Sequence, residues 1–170
     1  MRRTYRILPA LVFAWLWLCV PAHAAYTVQP GDKAPFFTVT QLDGRVFDMA
    51  AQRGRVVVVH FWATWCAPCQ QEMPILNTVY RRFRPEGLVM IGVSMDRPRR
   101  RADIFEIMKQ YDYPMGLISD APRSGFGRIN VLPVTYVISK DGIIQAKFTP
   151  EENPVTEANL ARILKPLLSQ

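Results

Sequence analysis

Residues 56–74 read Val56-Val57-Val58-Val59-His60-Phe61-Trp62-Ala63-Thr64-Trp65-Cys66-Ala67-Pro68-Cys69-Gln70-Gln71-Glu72-Met73-Pro74. A continuous β-branched run of this kind is the pattern of a strand buried on both faces. The run gives way to Trp-Cys-Ala-Pro-Cys, after which the residues favour helix as far as Pro74. Two cysteines therefore stand where a strand hands over to a helix N-terminus. One of them faces the positive end of the helix dipole, which favours thiolate over thiol and can lower its pKa by one to several units from about 8.5. Cys66 is the candidate nucleophile. Cys69, three residues on and on the same helical face, can close a small disulfide ring with it.

Working outward, the central strand is expected over Arg55 to Phe61, and a helix over Pro68 to Phe83 with Met73, Leu76, Val79, Tyr80 and Phe83 at helical spacing. Pro74 inside that helix should kink it. On the N-terminal side, Tyr26 to Pro35 reads as an extended lead-in. Phe36 to Thr40 and Arg45 to Phe47 then form a hairpin around the Gln41 to Gly44 connection. On the C-terminal side a second buried strand spans Leu88 to Ser94, and a helix spans Arg101 to Tyr111 with Ile104, Phe105, Met108 and Tyr111 on one face. Pro114 to Ser119 reads as a short strand and Ser124 to Ile129 as a short helix or turn. Val134 to Ser139 and Ile143 to Phe148 flank the turn Lys140-Asp141-Gly142, and Glu157 to Leu168 closes the chain as an amphipathic helix. Alternating strands and helices point to an α/β fold.

The N-terminus has a different character. Arg2, Arg3 and Arg6 precede a 14-residue apolar run, Ile7 to Val20, and Ala22-His23-Ala24 offers small residues for a peptidase cut. Residues 1–24 read as an export signal. The run is short against the roughly 20 residues of a membrane span, with an uncleaved anchor as the alternative. Cys19 raises a lipidation signal, but Trp17 and Leu18 stand where small residues are expected. Without residues 1–24 only Cys66 and Cys69 remain, and two cysteines so close in sequence are no framework for stapling a fold. In an oxidising compartment the pair is more plausibly catalytic than structural. The remaining 146 residues hold one domain, residues 25–170, with a sizeable core, consistent with 49% apolar content. The net charge of +7 falls to +4 without the three signal arginines, a mild bias.

The segment Phe61-Trp62-Ala63-Thr64-Trp65-Cys66-Ala67-Pro68-Cys69, with Glu72 and Pro74 after it, resembles the thioredoxin fold. More narrowly, it is similar to the exported TlpA/ResA-like thiol-disulfide oxidoreductases of the redoxin/AhpC-TSA-like superfamily. The resemblance implies a central mixed β-sheet flanked by helices, an N-terminal β-hairpin, and a βα insertion before a cis-proline strand. It gives Pro133, in Val131-Leu132-Pro133-Val134, the role of that cis-proline facing the disulfide. A cis bond there would leave the backbone of Leu132 free to bond an extended substrate. Trp65, Ala67 and Pro68 would be the other substrate contacts. Trp62, on the strand, is the better core candidate.

Two groups could manage protons. Glu72 lies one turn beyond Cys69 and could take the proton when the second thiol attacks, or could be an exposed helix glutamate. The ResA-like branch carries a glutamate at this point, which tips the reading toward function. His60 departs from the aspartate of thioredoxins and the asparagine frequent in TlpA-like relatives. As imidazolium it would tune the pKa of Cys66 downward, as neutral imidazole it could accept a proton, and as a hydrogen-bonded core residue it would do neither.

The function expected is thiol-disulfide exchange through the Cys66–Cys69 dithiol, with no cofactor beyond that disulfide. By resemblance the substrates are cysteine pairs of apocytochrome c or of copper-site assembly proteins, and a membrane thiol reductase supplies electrons. An oxidase or isomerase would use the same residues. A copper-binding chaperone is the alternative from another class, but His23 leaves with the signal and the cysteine spacing is narrow. Peroxidase chemistry is disfavoured because Ala63, not threonine, stands three residues before Cys66. Haem attachment is disfavoured because Gln70 follows Cys69. Arg81, Arg82 and Arg84, with Arg97, Arg99, Arg100 and Arg101, form two basic clusters. Export argues against nucleic acid, leaving solvated faces, an acidic partner or anionic lipid.

Overall fold

A computed structural model of the chain describes residues 27–170; the export-signal expectation for residues 1–24 lies outside them. The core is a five-stranded sheet. Strands β3 (Val57–Trp62), β4 (Val89–Ser94) and β5 (Met115–Leu117) run parallel, while β7 (Val134–Ile138) is antiparallel to β3, and β8 (Ile144–Phe148) is antiparallel to β7. Spatial order is β5-β4-β3-β7-β8. A second sheet, ordered β2-β1-β6, joins β1 (Phe37–Thr40), β2 (Val46–Asp48) and β6 (Arg123–Ser124). This is the mixed, helix-flanked thioredoxin architecture that the resemblance implies.

All six residues of β3 are buried because both faces of the sheet are covered. Val56, Val58 and Trp62 point to the face closed by α1 (Ala67–Phe83), α2 (Arg101–Met108) and α3 (Glu157–Leu168). Val57, Val59 and Phe61 point to the face closed by the second sheet. There Phe126 meets Phe37 at 5.5 Å and Phe61 at 5.1 Å, both edge to face.

Local chemistry sets the element ends. Cys66 is the N-cap of α1, so the helix starts at Ala67, with Pro68 in the first turn where a missing N–H costs nothing. Thr156 and Asn159 form a reciprocal capping box, and α3 spans the residues expected. The structure corrects two readings. Helix α2 stops at Met108 rather than Tyr111, and of the expected stripe only Ile104 is fully buried, Phe105 being exposed. The physical reason lies in α1: Asn77 accepts the Asp112 N–H at 2.8 Å and donates to its carboxylate at 3.2 Å, drawing the chain off the helical path. The segment expected as a helix or turn from Ser124 to Ile129 begins as the end of β6, which pairs with β1, and continues as a turn that buries Phe126.

Candidate active site

Strand β3 ends at Trp62, and the next four residues carry the chain over the sheet edge to the N-terminus of α1. Thr64 is fixed from three sides. Its N–H and hydroxyl donate to the Asp96 carboxylate, both at 2.7 Å, and its carbonyl accepts from the Gln70 side chain at 2.8 Å. Asp96 is buried and also accepts from Ser94 Oγ at 2.8 Å, so the loop after β4 holds the loop after β3.

Cys66 and Cys69 are joined as a disulfide, with Cα atoms 5.3 Å apart. The Cys66 Sγ accepts the backbone N–H of Cys69 at 3.2 Å, as an N-cap oxygen would. Cys69 is fully buried and Cys66 shows a 5% exposed edge. Ala67 and Pro68, between them, are exposed. Trp65 is 71% exposed beside the disulfide, whereas Trp62 is fully buried in the core. The two tryptophans therefore part company: Trp65 stands exposed beside the disulfide and Trp62 is core packing.

The antiparallel register sets Phe61 against Val134, so Pro133 comes to the same sheet end as the cysteines. The Leu132–Pro133 bond is cis, and the backbone of Leu132 has no hydrogen-bond partner among the described residues.

Glu72 lies on the buried side of α1 and is only 8% exposed. Its Oε1 accepts the Val155 N–H at a long 3.5 Å, and its Oε2 has no partner among the described residues. Desolvation raises its pKa to about 7, against the lowering effect of the Val155 N–H. His60 is fully buried on the helix-facing side of β3, with Nδ1 2.9 Å from Thr135 Oγ1 and Nε2 unpartnered. Burial pushes its pKa down to about 3. That direction favours the neutral imidazole near neutral pH, with its ring held in the core by Thr135. Sequence reading missed Asp96 altogether. Its signal is faint, a single aspartate two residues after a buried strand, and only the pairing of β3 with β4 brings it to Thr64.

A disulfide at the junction of a central strand and a helix, one sulfur capping that helix, across from a cis-proline on a mixed sheet, defines a thioredoxin-fold thiol-disulfide oxidoreductase. The chain belongs to the AhpC/TSA family, whose model matches residues 30–147. It is 32% identical over 127 residues to the thiol-disulfide oxidoreductase ResA of a Bacillus cereus strain, covering 74% of this chain and 72% of that protein. Among solved structures it is similar to the thioredoxin domain of a thiol-disulfide oxidoreductase from Bacteroides vulgatus. There the TM-score is 0.65 and the identity 26%, with 81% of this chain and 99% of that one covered. It shares its fold with a secreted thiol-disulfide isomerase from Corynebacterium glutamicum, at a TM-score of 0.66 and 22% identity, with 88% and 95% coverage.

Proposed function

We propose that the protein is an exported disulfide reductase, residues 1–24 acting as the export signal and residues 25–170 as a single domain, with Cys66 attacking and Cys69 resolving. The observation that carries this reading is the position of Cys66 Sγ as the cap of α1, where the Cys69 N–H and the helix dipole favour a thiolate. In the reduced protein the Cys66 thiolate attacks one sulfur of a substrate disulfide. A mixed disulfide forms and the substrate's other sulfur leaves as thiolate. Cys69, freed of its proton, then attacks Cys66 Sγ, the mixed disulfide breaks, and two electrons have passed to the substrate. The protein is left oxidised, as seen here.

A buried Cys69 thiol needs a base for the second step. Glu72, one turn further along the same helix face and poised near neutral pH, has the right affinity for that proton. Leu132 offers free backbone groups to an extended substrate next to Pro133, and Trp65, Ala67 and Pro68 supply the exposed surface around the disulfide. Extended docking of this kind suits polypeptides with a reducible cysteine pair, such as apocytochrome c or copper-site assembly proteins, and no cofactor beyond the disulfide is required. A membrane thiol reductase would return the electrons, with no part for nucleic acid.

The test is to express Cys69→Ser in the native exporting cell and isolate mixed disulfides. Adducts on Cys66 that release reducible substrate proteins support the reading and name the substrates. No adducts, together with net oxidation of a dithiol peptide by the parent protein, would assign an oxidase instead.

A further inference from the structure

The loop after β4 does more than hold Thr64. It continues into Arg97, Arg99 and Arg100, which line a cleft of about 390 Å³ together with Thr64, Trp65 and Asp96. Trp65, one residue before Cys66, is part of the lining of this cleft, so the cleft opens beside the reactive sulfur. The charges of the loop divide into two groups. Arg100 pairs with Asp103 at 3.0 Å and Arg101 with Asp120 at 2.7 Å. Asp96 is buried, and its carboxylate is occupied by Thr64 and Ser94 donors. Arg97 and Arg99 are exposed and have no acidic partner among the described residues. An exposed indole therefore sits beside two uncompensated guanidinium groups, one residue from the reactive sulfur.

Resting on the reductase reading above, we propose that Trp65, Arg97 and Arg99 form a docking edge for a polypeptide whose cysteine pair lies in an acidic segment. Carboxylates on either side of the substrate disulfide would meet the arginines while the chain lies on the indole. Planar, weakly hydrated guanidinium groups suit bidentate contact with carboxylates. The Asp96–Thr64 bonds make the edge specific, since they hold the arginine loop in fixed register with the loop that carries Cys66. Charge at an interface rim acts mainly on encounter and is screened over about 8–10 Å at ordinary salt.

The experiment compares two synthetic peptides with the same disulfide loop, one flanked by glutamates and the other by lysines. The parent should reduce the acidic peptide with a kcat/KM on the order of tenfold higher, carried by KM, and salt should erode the difference. The double variant Arg97→Glu/Arg99→Glu should invert the ratio, and the ratio cancels any change in thiol reactivity common to both peptides. Equal rates for the two peptides with the parent, or the same ratio in parent and variant, overturn the proposal while leaving the reductase reading intact. Failure to reduce either peptide overturns that reading as well. If the variant keeps the peptide preference but loses retention on phosphatidylglycerol vesicles, the arginines serve a lipid surface and the proposal falls.

Discussion

The two faces of the central sheet are built from alternate residues of the same strands, yet they hold different kinds of chemistry. On the face closed by the second sheet, Phe37, Phe61, Phe126 and Tyr136 interlock ring against ring, and apolar packing is nearly all there is. On the face closed by the helices, the same depth of burial encloses His60, Trp62, Glu72 and Tyr113, each with a side-chain atom lacking a partner among the described residues. A buried polar atom without a partner costs on the order of 1–3 kcal/mol, so the helix face gives up stability that the aromatic face supplies. The cysteines lie on the helix face. The unpartnered polar atoms of His60, Trp62, Glu72 and Tyr113 thus lie on the face that carries the disulfide, while the opposite face holds β3 in place by packing.

The largest effect that would sharpen this contrast is chemical. Cys66→Ser should remove disulfide reduction in an insulin-precipitation assay while leaving cooperative unfolding intact. Turnover near the parental rate would mean that the helix-capping sulfur is not the nucleophile. Phe126→Ala should do the reverse. The ring is fully buried among three others, and its loss should cost roughly 3–5 kcal/mol in urea unfolding. The thiolate absorbance of Cys66 against pH should not move, and a shift there would show that the two faces are coupled.

How far the sequence disclosed this division depends on the range of the interaction responsible. The strand and helix at 56–83, the hairpin around Gly142 and the last helix were legible because each rests on local signals: a β-branched run, the turn Lys140-Asp141-Gly142 whose glycine takes φ 78°, and the amphipathic spacing of Glu157 to Leu168. The cysteine pair was legible for the same reason. Asp96 was not, because its partner Thr64 is 32 residues away and only the β3–β4 register joins them. The alternation of β3 was hidden too, since a strand buried on both faces shows no period, and His60 could not be assigned a face until its neighbours had theirs. The shortening of α2 was likewise invisible, because a side chain of another helix ends it.

The next effect concerns Glu72. Burial raises its carboxyl to about 7 from an ordinary value near 4.5, so the folded protein keeps a proton that the unfolded chain has released. Between those values the unfolded state binds fewer protons, and the contribution of Glu72 to stability falls as pH rises, by about 3 kcal/mol in total. Glu72→Gln should lack this loss. The stability of the variant relative to the parent should climb from pH 4.5 to 7 and level off above. Exchange with substrate should slow several-fold near neutral pH, since the amide takes no proton. A flat stability difference with an unchanged rate would reduce Glu72 to a packed side chain.

The last effect belongs to His60, and its sign is opposite. Burial lowers its pKa to about 3 from 6.5, so on acidification the unfolded chain takes up a proton that the folded protein refuses. Its contribution to stability is complete above pH 6.5 and is lost as pH falls toward 3, at roughly 1 kcal/mol per pH unit. From pH 4.5 to 6.5 this gain with rising pH runs against the loss from Glu72, so the parent should show a plateau there, falling away on the acid side. His60→Asn keeps a hydrogen-bonding group near Thr135 but cannot be protonated, so it should remove the acid limb. Its absolute stability also reflects the change in packing, and the slope against pH is therefore the quantity to read. Because the imidazole stays neutral, the Cys66 thiolate titration of His60→Asn should show no added step between about pH 5 and 9. An acid limb that survives in the variant, or a Cys66 titration that loses a step near about pH 6, would show that a charged imidazole persists inside the fold and that the helix face is tuned from beneath the sheet surface as well as from Glu72.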